Sequence, residues 1–288
     1  MPRASTAAVP SVAPGVSAVD HVLGAMRAQF ATIRVHEPGV RLGTDPEELH
    51  TMRTAIRRLG AVLRAVRPMF TAGSLAGLRS ELRWLGAVLG AARDADVFRE
   101  YLGKELGAAG KRLLARLDAE RAAVKAGVLA ALDDPRYTRL LDRLEEMMRR
   151  PLIVADDVSL PNLARRDFKT LRKAVEALPK KPSDRELHTV RIKVKRARFT
   201  AELAQAMVGR PAERFVARAH KVQDVLGEHQ DAVVAEQRIR DLLEETGGAE
   251  GAAADRLLAR QRKRRKAARA AFDDQWPKLE RRGVTAWT

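Results

Sequence analysis

The stretch ELHTMRTAIRRLGAVLRAV, residues 48–66, decides how this chain is read, because it is written twice. Residues 186–203 read ELHTVRIKVKRARFTAEL, with the histidines at His50 and His188, 138 positions apart. The same offset lays RAQFATIR (27–34) over RRDFKTLR (165–172). With small gaps, LGAARDAD (89–96) lies over LGEHQDAV (226–233), RLLAR recurs at 112–116 and 256–260, and AALDD is echoed by AAFDD. An ordered series of this kind marks an internal duplication. Two copies are too few for a solenoid, so two related helical units facing one another are expected.

On a helix of about 100° per residue, His50, Arg53, Arg57 and Arg64 fall in one narrow stripe. Met52, Ile56, Leu59, Leu63 and Val66 gather on the opposite side. His188, Arg191, Lys195 and Arg198 repeat the stripe, with Val190, Val194 and Ala201 turned away. A solvated surface is the ordinary explanation of such a face. Ordinary helix surfaces, however, mix signs and form i,i+4 pairs. Here no acidic residue lies between Glu48 and Glu81, or between Glu186 and Glu202. Each stripe also starts with a histidine near a helix N-terminus, where a cation is disfavoured and an anion is welcome. A functional cationic face is therefore the reading adopted.

The next long helix adds Arg79, Arg83, Gly86, Gly90 and Arg93 on one side, and its counterpart adds Arg218 and Lys221. If both units turn these faces inward, two basic surfaces line one groove or pore, which must be wet or filled by anion because like charges repel. Asp94 and Asp231 take matching places after Leu-Gly and are expected to orient the arginines; Glu202 interrupts the second stripe and is expected to clamp a neighbouring arginine.

The remaining pattern is helical almost throughout. Helices are predicted at about 17–34, 46–67, 74–102, 108–132 and 135–150, then, after a break, at 162–178, from a Ser-x-x-Glu capping box at 183–186 onward, 212–245 and 252–282. This gives an all-α fold of two pseudo-symmetric four-helix units around a basic central pore or groove. The expected division is a disordered tail (1–15), an N-terminal unit (16–150), a connection (151–161) and a C-terminal unit (162–288).

Composition narrows the function. The chain has 288 residues, 45% hydrophobic but only 4% aromatic, which suits a core of helices packed through Leu, Val, Ala and Met. Lysine and arginine number 54 against 37 acidic residues, a net charge of +17, so a polyanion is the expected partner. Absence of cysteine excludes disulfides, thiolate metal sites and thiol nucleophiles. No apolar run is long enough for a membrane span, no secretory leader is evident, and a cytoplasmic location is expected. The stripes carry no Trp, Tyr or Phe on which bases could stack. Forked and point cations without aromatics suit a phosphate chain that has no bases.

The arrangement resembles the conserved histidine α-helical domain (CHAD) family. The residues that carry it are LHTMRTAIRRLGAVLR (49–64), WLGAVLGAARDADVF (84–98), LHTVRIKVKRARFTAE (187–202), VQDVLGEHQDAVV (222–234) and QWPKL (275–279). The resemblance implies two helical bundles around a basic pore, binding of long-chain inorganic polyphosphate, and association with polyphosphate granules. It carries site roles onto His50, Arg53, Arg57 and Arg58, and onto His188, Arg191, Lys195, Arg196 and Arg198. No ExExK signature of an added triphosphate-tunnel domain precedes the repeat. A stand-alone binding module, not an enzyme, without metal or cofactor, is expected. A sequence-nonspecific nucleic-acid binder, suggested by RQRKRRK (260–266), is the alternative. A phosphate-chain hydrolase or phosphotransferase ranks below it.

Overall fold

A computed structural model describes residues 17–106, 111–153, 158–245 and 251–287. The expected tail, the start of the helix predicted from 108 and part of the connection lie outside the described residues. Among the described residues the structure is nine α-helices and one 3-10 turn, with a lone antiparallel bridge between Phe70 and Ile153 in place of any sheet.

Helix starts follow local chemistry. Ser17 caps α1 (Ala18–Leu42), its hydroxyl accepting from the Asp20 amide. Asp45 caps α2 (Pro46–Ala65) by accepting from the Glu47 amide at 2.8 Å, with Pro46 pre-set in the first turn. After the turn at Arg67–Met69 come α3 (Ala76–Leu106), α4 (Lys111–Asp133) and α5 (Pro135–Arg149), the last capped by Asp134. The second half holds α6 (Leu160–Glu176), α7 (Asp184–Val208), α8 (Arg210–Glu245) and α9 (Gly251–Trp287). At the start of α7 the expected capping box is complete: Ser183 accepts from the Glu186 amide, and Glu186 accepts from the Ser183 amide at 2.6 Å.

Two helix ends lie furthest from the sequence expectation. The first helix does not stop at Arg34 but runs through Pro38 to Leu42. Its last turns are held from outside: Arg41 donates to Glu37, Asp133 and the Leu132 carbonyl, and His36 Nδ1 lies 2.6 Å from Glu48. The last helix likewise continues past Arg282, because Trp287 is buried edge-on against Phe215, itself edge-on to Phe168. Gly283 lets α9 approach there, since a Cβ at this position would overlap the Phe168 ring. The short helix expected at 135–150 is present as α5, which packs against α1, α3 and α4, so the first half holds five helices where a four-helix unit was expected.

Each half builds its core from neighbouring antiparallel helices, and one continuous apolar core joins them. Met52, Ile56, Leu59 and Leu63 of α2 and Val190, Val194 and Ala201 of α7 are all buried, as the periodicity requires. The halves meet at two places. In the first, α2 and α7 pack side by side, and α7 also touches α1. The second is a separate apolar cluster in which Phe98, Leu102 and Leu106 of α3 and Leu113 and Leu117 of α4 meet Ala235, Ile239 and Leu242 of α8 and Leu257 of α9.

Candidate anion-binding site

Packing α2 against α7 brings the two cationic stripes together. Arg57 feels Arg53 on its own helix and Arg191 and Arg198 from α7; burial and these neighbours lower its pKa to about 10. Lys195 sits in the same crowd. Burial first, then Arg57, Arg191, Arg198 and Arg53, bring its ammonium down to about 7. Both side chains keep contact with solvent, since the crowd lies along a concave surface open to water.

A groove of about 450 Å³ opens from this junction. Arg57, Gly60, Ala61 and Arg64 of α2, Arg79, Arg83 and Gly86 of α3, and Ile192, Lys195, Arg196 and Phe199 of α7 line it, and no carboxylate does. Two adjoining hollows continue it. One, of about 580 Å³, is lined by Arg64, Arg67, Arg79, Arg166 and Arg196; the other, of about 290 Å³, by Arg67, Arg79 and Arg83. Gly86 and Gly90 of α3 face α2, where a Cβ on Gly90 would come to ordinary contact distance, 3.5 Å, from Arg53 Nε, and one on Gly86 to 3.6 Å from Ile56.

The histidines stand at the other end of the stripes. Burial lowers the pKa of His50, with Arg93 next in effect, so the ring is held neutral. Its Nδ1 is buried without a hydrogen-bond partner, whereas His188 Nδ1 lies 2.7 Å from Gln230 Oε1. Each of the two aspartates lies near an arginine. Asp94 pairs with Arg53 at 3.4 Å. Asp231 lies beside Arg191, and burial raises its carboxyl against that pull. Buried Nε atoms of Arg53 and Arg191 have no hydrogen-bond partner.

Several expectations need correction. The stripes are uncompensated in sequence but not in space. Arg64 reaches Asp167 of α6 and Thr200 of α7, and the Thr200 hydroxyl donates to Asp167 at 2.7 Å. Arg198, 4% exposed, donates to Glu202, to Gln223 at 2.9 Å and to His220 at 3.0 Å. The groove is also not free of aromatics: Phe199 lines it, its ring covered by the Arg198 guanidinium at 4.1 Å. Arg218 and Lys221 are not brought to the groove; Arg218 acts on Asp274 of α9, and Lys221 is exposed. Arg58 lies close enough to Arg198 to repel it.

Sequence reasoning missed Arg67, Arg166 and Asp167. Arg67 follows the stripe only across a helix end, and the α6 pair carries no periodic signal. Among the described residues no three His, Asp or Glu side chains are grouped to hold a metal ion. His229 Nε2 lies 3.1 Å from Asp184, which also pairs with Arg265 and Arg269. Among the described residues no helix is long and apolar enough to cross a membrane.

Fold and site together define an all-α protein of two packed helical halves with a cationic groove at their junction. The chain belongs to the CHAD domain family, whose model matches residues 24–240. It is 30% identical over 210 residues to two uncharacterised proteins of Mycobacterium tuberculosis, Rv2226 of strain ATCC 25618 / H37Rv and MT2285 of strain CDC 1551 / Oshkosh. The alignment takes in 67% of this chain and 40% of each relative. Among solved structures it resembles PptA from Streptomyces chartreusis, with a TM-score of 0.77 and 23% identity over 91% of this chain and 100% of that one. It is also similar to the CHAD domain of the plant Ricinus communis, with a TM-score of 0.73 and 26% identity over 92% of this chain and 96% of that one.

Proposed function

We propose that the chain binds long inorganic polyphosphate in the groove between α2 and α7. The observation that carries this is that Arg57 and Lys195, crowded from behind by Arg53, Arg191 and Arg198, join Arg64, Arg79, Arg83 and Arg196 in lining a hollow whose lining includes no carboxylate. Such a crowd is held by the fold against its own repulsion, and an anion relieves it. A phosphate chain offers closely spaced negative charges and nothing that needs stacking. The resemblance to the CHAD family supports the same ligand, and association with polyphosphate granules in the cytoplasm belongs to this reading.

One observation bears on the nucleic-acid alternative. The basic run that motivated it is largely engaged by acids: Arg260 by Glu105, Arg262 by Glu236 at 3.1 Å, Arg264 by Glu228 at 2.7 Å and Arg265 by Asp184 at 3.2 Å. This supports the groove as the anion site. A lone Phe199, already covered by Arg198, cannot stack a series of bases.

Titration with long-chain polyphosphate and with duplex DNA at matched salt tests the reading. Polyphosphate should bind at least about tenfold tighter, with log K falling steeply against log salt concentration. Equal affinity for the two polymers overturns it. Incubation with polyphosphate and Mg²⁺ should release no phosphate if this is a binding module.

A further inference from the structure

The two copies of the basic motif do not build equal halves of a site. At offsets of 138 for α2 and α7 and 137 for α3 and α8, Gly60 corresponds to Arg198, Arg64 to Glu202, Gly86 to Gln223 and Arg83 to His220. In the first half these positions leave space and present cations, and the groove of about 450 Å³ occupies that space. In the second half the same positions fill one another. Arg198 sits where the first copy has glycine, and it donates to Glu202, Gln223 and His220 together. His220 Nε2 in turn lies 3.5 Å from Glu202.

We propose that the polyanion track is one-armed: it leaves the Arg57–Lys195 junction over the α2/α3 face, while the matching α7/α8 arm is closed by Glu202, a carboxylate held where a ligand phosphate would otherwise bind. Two observations independent of the duplication support the direction. The open arm continues beyond Arg64 and Arg196 into the hollow lined by Arg67 and Arg166, so a chain leaving this way stays among cations. On the closed arm, Arg198 is nearly inaccessible and its Nε and an Nη are already engaged, leaving little for an incoming anion.

Glu202 therefore acts as a specificity residue. It gives the site one exit and withholds Arg198 and His220 from the ligand. The identity of the ligand rests on the polyphosphate reading above; the asymmetry does not.

The test compares matched positions in the intact chain, with far-UV circular dichroism confirming that each variant is folded. Arg83→Glu on the open arm should weaken binding of long polyphosphate by about tenfold or more and reduce the salt slope by about one. His220→Glu at the corresponding position, and Arg214→Glu on the exposed surface of α8, should change affinity by no more than about twofold. Glu202→Gln should steepen the salt slope by about one, because loss of the carboxylate charge leaves Arg198 uncompensated and able to attract a phosphate into the arm. If His220→Glu costs as much as Arg83→Glu, or if Glu202→Gln leaves the slope unchanged, the one-armed track is wrong while polyphosphate binding stands. If the wild type binds no polyphosphate at all, the functional reading fails and this proposal fails with it.

Discussion

Lys195 on α7 lies within the field of Arg57 on α2, and after burial that neighbour does most to bring its ammonium down to about 7. The two residues come from different halves of the chain, line the same groove and repel each other. Their relationship sets the pH behaviour of the site.

Polyphosphate next to Lys195 should restore its proton. Its bound pKa then lies above the free value, so affinity is fullest below about pH 7 and falls as the pH rises from there. Calorimetry at pH 8 in buffers of different ionisation enthalpy should show net proton uptake of up to about one per site. Lys195→Arg, which stays charged, should remove most of that uptake.

The sign reverses for the unliganded fold. Lys195 titrates near pH 7 when folded and near 10.4 when unfolded, so the unfolded chain binds more protons between these values. This residue's contribution to stability therefore rises across that window and is smallest below about pH 7. Lys195→Met should raise the Tm at neutral pH and low salt by about 2 °C, an advantage that saturating polyphosphate cancels.

Double charge reversal, Arg57→Glu with Arg191→Glu, should weaken polyphosphate binding by about 100-fold or more without loss of helicity. Titration and circular dichroism on the same sample check both halves of the statement. Unchanged affinity would show that the anion sits elsewhere.

Asp167 ties the halves together through Arg64 and Thr200. Asp167→Ala should destabilise the fold by about 1–3 kcal/mol, measured by urea unfolding, because a part-buried guanidinium loses its carboxylate and the buried Thr200 hydroxyl keeps only the Arg196 carbonyl as acceptor. The same change removes a competitor for Arg64, so polyphosphate affinity should rise even as stability falls.

Gly283→Ala should cost about 1–3 kcal/mol by forcing α9 away from Phe168. Binding should be untouched, since the Phe168–Phe215–Trp287 stack lies in the core and not in the groove.

Most of the helices were legible in the sequence where the signal is local. Caps at Asp45, Asp134 and Ser183 announce their helices through side-chain oxygens that accept from nearby amides, and all three are found. The cationic stripes were legible for the same reason, since a helix of known pitch puts His50, Arg53, Arg57 and Arg64 on one side whatever surrounds them. Boundaries held by distant partners were not legible. α1 survives Pro38 because Glu48, Asp133 and the Leu132 carbonyl hold its end, and α9 runs to Trp287 because Phe215 waits for it.

By itself, then, the sequence determined an all-helical chain with a duplicated basic motif and the faces on which its cations stand, because periodicity and capping act over a few residues. Tertiary packing alone decided which of those cations remain available. Asp167 reaches Arg64 from 103 positions away, the acids that engage the Arg260–Lys266 run come from α3, α7 and α8, and Glu202 finds Arg198 inside a closed arm while the matching arm stays open. Charge compensation depends on distance through space, and no window along the chain reports that distance.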